Sequence, residues 1–251
     1  QILYGLTKSL PYADAERVYT PWPDMEEALR SSGTKLWALE SRRPVSDFDV
    51  LGFTLQYELS YTNILTILDL SGIPFRSGDR GDKDPIVIAG GPGALAPEPM
   101  SPFIDAFCVG DGEALLPDVL STIHGMKGRG REEKIWALSK IEGVYVPQIR
   151  QDRPVRRRIV EDLDSAFYNT GMIVPNTGIV HDRIAVQVFK GCTRGCRFCQ
   201  AGMIDRPVRE RSAASVEDQV QKLLKNTGWE EVGLLSLATC DWSEMGEILK
   251  R

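Results

Sequence analysis

Residues 191–202 read GCTRGCRFCQAG, so Cys192, Cys196 and Cys199 stand at the spacing C-x3-C-x2-C, with Gly191, Gly195 and Gly202 around them. Thiols this close suit soft metals or redox chemistry. A structural zinc site wants four ligands, usually as two C-x2-C pairs. Neither His181 nor Cys240 belongs to a second pair, so zinc would need an odd assembly. A dithiol redox pair would use Cys196 and Cys199 and leave Cys192 without a role. A [4Fe–4S] cluster takes thiolate ligands. Three of them leave one iron open, which is how a metal site keeps room for a further ligand. The glycines let the backbone wrap closely around such a group.

The elements that must hold this loop are also legible. IAVQVF (184–189) alternates and is β-branched, the pattern of a strand. The cysteine loop follows its carboxyl end, where α/β folds place their sites. Ser212 or Ser215 can cap the next helix, and Ser215–Asp218 has capping-box spacing. That helix is expected to reach about Asn226, with Val216, Val220, Leu223 and Leu224 on one face and Gly228 at its end. Val232–Leu237 reads as the next strand.

Upstream, strands are expected at 17–20, 35–38, 50–55, 86–89 and 106–109, and helices at 24–31, 61–71 and 113–124. Asp24 and Ser60 or Thr62 are candidate caps, and Gly72 with Pro74 a helix stop. This alternation predicts βαβ units and a mostly parallel sheet. Residues 126–183 differ, and a two-stranded β element is expected around the turn Gln151-Asp152-Arg153. The domain reading is 1–126, a Rossmann-like unit; 127–183, a linker with a small β element; and 184–251, the start of a barrel.

With aromatic Phe198 just before the third cysteine, the C-x3-C-x2-C loop after a strand resembles the radical S-adenosylmethionine (radical SAM) superfamily. That resemblance implies a (β/α) partial barrel and a [4Fe–4S] cluster on Cys192, Cys196 and Cys199, with S-adenosylmethionine on the open iron. It also implies reductive cleavage to a 5′-deoxyadenosyl radical, fed by an electron donor such as flavodoxin or ferredoxin. Carried over by position, the backbone at Phe198 would approach the adenine. The superfamily's Gly-Gly-Glu-like segment is replaced here by LSLATCD, where Ser236, Thr239 or Asp241 could supply the contacts. Arg209 and Arg211 could meet the methionine carboxylate by a forked contact, or be solvated loop charges. Cys240 reads as a small buried filler. No catalytic side chain is assigned.

GGPGALAPEP and GDGE, each after an expected strand, match neither the dinucleotide fingerprint nor the P-loop. On spacing alone they are tight turns. Together with FDVLGFTLQYELSYTNIL they resemble the cobalamin-binding-type domain fused to many radical SAM proteins, which would make Gly90, Gly91, Gly110, Gly112 and Glu113 loop residues of a cobalamin-type site. The D-x-H-x-x-G motif that supplies a lower-axial histidine is absent, and its strand is expected before Gln1. His124 and His181 read as structural or solvated. Cobalamin therefore stays open.

Composition narrows the rest. A net charge of −5 argues against coating nucleic acid or an anionic membrane, and no signal peptide or long apolar span is visible. Five cysteines, an odd number with three clustered, argue for a reducing, cytoplasmic setting over a disulfide framework. Residues 150–211 carry twelve Lys/Arg against seven Asp/Glu, which keeps an RNA substrate open. The 52 residues after Cys199 hold at most two βα units of roughly 30 residues each. The sequence thus reads as a piece of a longer protein, inactive alone. The expected activity is radical chemistry such as methyl or sulfur transfer; the alternative is a non-catalytic cobalamin- or partner-binding module whose cysteines hold zinc or no metal.

Overall fold

The computed structural model describes residues 1–150 and 154–250. Its helices are α1 (Ile2–Ser9), α2 (Pro23–Ser32), α3 (Tyr61–Leu70), α4 (Gly112–Gly125), α5 (Arg131–Leu138), α6 (Ala201–Ile204), α7 (Ala213–Thr227) and α8 (Met245–Ile248). Its strands are β1 (Val50–Thr54), β2 (Ile86–Gly90), β3 (Ala106–Cys108), β4 (Val144–Tyr145), β5 (Ile184–Gln187), β6 (Phe189–Lys190), β7 (Arg209–Glu210) and β8 (Val232–Leu235). The chain divides into two units, Leu10–Ile159, and Gln1–Ser9 with Val160–Arg251.

In the first unit the run IVIAG has no polar face, so it must be covered on both sides. It is an inner strand: β1 and β3 flank β2 in parallel, and β4 closes the sheet antiparallel to β3. Val87 and Ala89 pack with Ile64, Ile67 and Leu68 of α3. The alternate residues, Ile86 and Ile88, pack with Leu115 and Val119 of α4 and Ile135 and Leu138 of α5. This two-residue alternation makes a mixed, mostly parallel α/β sheet of Rossmann-like type. Gly72 stops α3 at φ +67, and the Ile73 N–H returns to the Leu68 carbonyl at 2.9 Å.

Several expectations fail locally. Segments 17–20 and 35–38 are not strands. They make scattered main-chain bonds instead, such as Leu39 N–H to Arg17 O (2.8 Å) and Leu36 N–H to Leu70 O (2.8 Å), and an isolated bridge between Trp37 and Pro44. Pro21, Pro23 and Pro44 lack the N–H a ladder needs. Asp24 accepts from the adjacent Met25 N–H within α2, and the Ser60 hydroxyl donates backward to Tyr57 O, so neither caps its helix. Within 127–183 the chain forms helix α5, and no hairpin joins its two expected strands: Val144–Tyr145 pairs with β3, while Arg158 bridges Gly110. The expected turn 151–153 lies outside the described residues.

Asp105 is buried just before β3. It accepts from the Val87 N–H (2.7 Å), from Arg80 (3.2 Å), and from the Ser77 hydroxyl and Arg131. Arg80 also donates to the carbonyls of Pro74, Phe75 and Phe103. Burial, with Arg131 nearby, pulls the Arg80 pKa below its usual value despite Asp105.

In the second unit β5 and β8 pair in parallel from Ile184↔Val232 to Gln187↔Leu235. Helix α7 crosses between them and packs Ala213, Val216 and Leu223 on Val186 and Val188. Ser212 caps it, accepting from the Ser215 N–H at 3.2 Å, and Gly228 ends it at φ +74. The cap is therefore three residues earlier than the Ser215 box. Strands β6 and β7 form a short antiparallel pair. These residues make one βαβ unit, and no closed barrel is formed among the described residues.

Candidate metal centre

The chain leaves β6 through Gly191 at φ +89, and a Cβ there would stand 2.7 Å and 2.8 Å from the carbonyl oxygens of Pro207 and Asp205. Only glycine lets the loop start so close to that backbone. The Arg194 N–H then donates to Cys192 Sγ at 3.4 Å, and the Gly202 N–H to Cys199 Sγ at 3.3 Å. A tight turn, Cys199 N–H to Cys196 O (3.1 Å), separates the last two cysteines. A Cβ on Gly202 would lie 3.5 Å from Cys199 Sγ and 3.9 Å from Cys192 Cβ. The missing side chain thus leaves a space between the first and third cysteines.

Cys192 and Cys199 are half-buried and Cys196 is exposed. Among the described residues, no three His, Cys, Asp or Glu side chains gather closely enough to share one metal ion. A cubane spreads its thiolates over different irons, so it does not ask for that convergence. A purely thiolate donor set, N–H donors on two of the sulfurs, a glycine-floored space and a neighbouring Arg194 fit an iron–sulfur cluster. They do not fit a closed zinc site, which needs a fourth ligand.

The loop after β8 comes to the same place. Asp241 receives both Nε and an Nη of Arg194 in a forked pair. The hydrogen bond from Arg194 holds the Asp241 carboxyl below its usual range, and the same bond pushes the Arg194 pKa up. Ser236 and Thr239 hydroxyls lie 2.9 Å apart, and the Ala238 N–H donates to Ser236. Trp242, 2% exposed, donates its indole N–H to the Arg211 carbonyl at 2.9 Å. Phe198 is 91% exposed at the loop tip. Asp241 is therefore tied to the cysteine loop, and Ser236 and Thr239 pair with each other in the same strand-end loop.

The two arginines expected to meet a carboxylate are not. Arg209 is buried and donates to the carbonyls of Val160 (2.8 Å) and Pro207 (3.2 Å). Arg211 is buried too, on the carbonyls of Gln187 (3.1 Å) and Leu163. Both guanidinium groups satisfy main-chain acceptors and tie segment 160–163 to the β5 end, a structural task. Cys240 is exposed, not a buried filler. The sequence reading missed Arg194 and Trp242. The position of Arg194 between two cysteines, with an acid in the next strand-end loop, was the available signal.

Residues 1–147 match the family described as radical SAM proteins, N-terminal. The chain belongs to the radical SAM proteins. An uncharacterised protein of Methanocaldococcus jannaschii is 27% identical over 221 residues, covering 87% of this chain and 45% of that protein. The radical S-adenosylmethionine methyltransferase TsrM of Kitasatospora setae, solved with tryptophan and the analogue aza-SAM, has a similar fold. Its TM-score is 0.52 at 16% identity, covering 99% of this chain and 47% of that one. The chain thus spans about half the length of these relatives.

Within this radical SAM protein, the upstream glycines have tasks of their own. A Cβ on Gly91 would stand 3.0 Å from the Leu55 carbonyl oxygen, and one on Gly110 only 1.9 Å from that of Arg158. Gly90 sits 3.6 Å from the Cys108 carbonyl by the same measure, while Gly112 and Glu113 open α4. At Gly91 and Gly110 the turns are closed by the chain's own carbonyls, which is why glycine stands there. His124, exposed, lies 5.1 Å from the Tyr12 ring, and His181 is exposed before β5. Part of the excess positive charge is paired locally: Arg158 with Asp118, Arg183 with Glu231 and Arg194 with Asp241. Among the described residues, no helix is long and apolar enough to cross a membrane.

Proposed function

We propose that the protein is a radical SAM enzyme whose cluster is held by Cys192, Cys196 and Cys199. The observation that carries this reading is the glycine-floored space between Cys192 and Cys199, with main-chain N–H donors on both sulfurs, at the carboxyl end of a parallel strand pair. When bound there, a [4Fe–4S] cluster supplies an open iron for S-adenosylmethionine and the electron that cleaves it reductively. The chain's own part is to hold and orient. The Arg194 and Gly202 N–H groups stabilise thiolate charge. The backbone at exposed Phe198 would approach adenine, and Ser236 and Thr239 offer hydroxyls for the methionine end. Asp241 is engaged by Arg194, and Arg209 and Arg211 by carbonyls, so they are left out of cofactor contact.

The reducing electron would come from a small redox protein of the flavodoxin or ferredoxin kind in the cytoplasm. Methyl or sulfur transfer is the reaction class we favour. The paired arginines speak for a small substrate over RNA, and the reading does not depend on cobalamin. Anaerobic reconstitution tests it: about four irons and four sulfides per chain are expected, lost in C192A, C196A and C199A. One zinc per chain, or no metal, would instead support a non-catalytic binding module.

A further inference from the structure

Arg194 holds two things at once. Its main-chain N–H donates to Cys192 Sγ at 3.4 Å, and its guanidinium forks onto Asp241. The far end of that fork is anchored. Next to Asp241, buried Trp242 donates to the Arg211 carbonyl at 2.9 Å, and Ser243 meets Glu210 through its N–H at 3.3 Å and through its hydroxyl. The following Glu244 accepts from the Ala213 N–H at the start of α7. The side chain of Arg194 therefore reaches from an exposed glycine-rich loop to a surface carboxylate whose neighbour, Trp242, is buried in the core.

An exposed ion pair contributes little by itself. Here the pair has forked geometry, which fixes direction as well as distance, and the residue it immobilises is the one whose N–H meets a ligand sulfur. We propose that the Arg194–Asp241 fork is a latch that positions the cysteine loop and keeps the Arg194 N–H on Cys192. Both are positioning residues: Asp241 acts on the cluster through Arg194 and not by touching S-adenosylmethionine. The inference rests on the radical SAM reading above.

The test uses the full chain, reconstituted anaerobically, as wild type, R194Q, D241N, the double variant and D241E. Two readouts are taken: the rate of iron loss to a chelator, and the cluster midpoint potential followed by electron paramagnetic resonance. Outer-shell partners are typically worth roughly 10–100-fold in metal affinity, so each single variant should release iron at least several-fold faster. The double should be no faster than the faster single, since either change opens the same latch, and D241E should recover part of the loss. Hydrogen bonds to sulfur raise a cluster's potential, so both single variants should shift the midpoint downward. A bare through-space charge effect would shift R194Q down and D241N up. Opposite shifts, multiplicative release rates in the double, or wild-type behaviour of both singles would each overturn the latch. A wild-type chain that takes up neither iron nor sulfide would overturn the functional reading along with it.

Discussion

Gly202 makes the cluster reading a steric claim about one residue. A side chain there enters the space between Cys199 Sγ and Cys192 Cβ, where even a Cβ already comes to 3.5 Å and 3.9 Å. Gly202→Val should therefore leave a folded chain, with an unchanged far-ultraviolet spectrum, that takes up less than half the iron of wild type on reconstitution. Wild-type iron content in G202V would mean the cluster sits elsewhere. At this scale the candidate ligands were legible in the sequence and their neighbours were not. Three cysteines in one loop announce themselves by spacing. Arg194 and Asp241 stand 47 positions apart, and only the pairing of β5 with β8 brings their loops together. Arg209 and Arg211 misled for the opposite reason. Arginines near a loop look solvated in sequence, whereas the carbonyls of Val160 and Leu163 draw them into the core.

Among elements, those with a strong apolar period were readable and those held by single contacts were not. Helices α2, α3, α4 and α7 and strands β1, β2, β3, β5 and β8 lie close to where their patterns put them. The prolines of residues 21–44 prevented ladders that alternation suggested. The fate of residues 154–158 depends on one backbone crossing, Gly110 against Arg158, in which the Asp111 N–H donates to Arg158 O (2.8 Å) and the Arg158 N–H to Val109 O (3.0 Å). Gly110 sits at φ +138 with a carbonyl where its side chain would be. Gly110→Ala should cost more than the roughly 1–3 kcal/mol of a backbone outlier, because strain and clash add. Thermal unfolding should show a fall of several degrees. No change would mean that the segment does not cross there.

Over the whole molecule, the buried charge cluster around Asp105 is the point where loss of one partner costs most. Removing Asp105 leaves Arg80 and Arg131 buried without their counter-ion. Asp105→Ala should cost about 3–5 kcal/mol, a large share of a typical domain's stability, measurable by urea unfolding. Burial also pushes the Cys108 thiol from its ordinary 9.0 up to about 12. The unfolded chain ionises first, so this thiol's contribution is intact below pH 9 and declines as pH rises toward 12, by at most about 1.4 kcal/mol per unit. Wild type should lose stability over that window relative to C108V, and parallel profiles would argue that Cys108 is not buried. The central claim concerns chemistry. Dithionite-reduced, reconstituted protein given S-adenosylmethionine should release 5′-deoxyadenosine well above a C199A control, and equal yields from the two, at equal protein concentration, would contradict it.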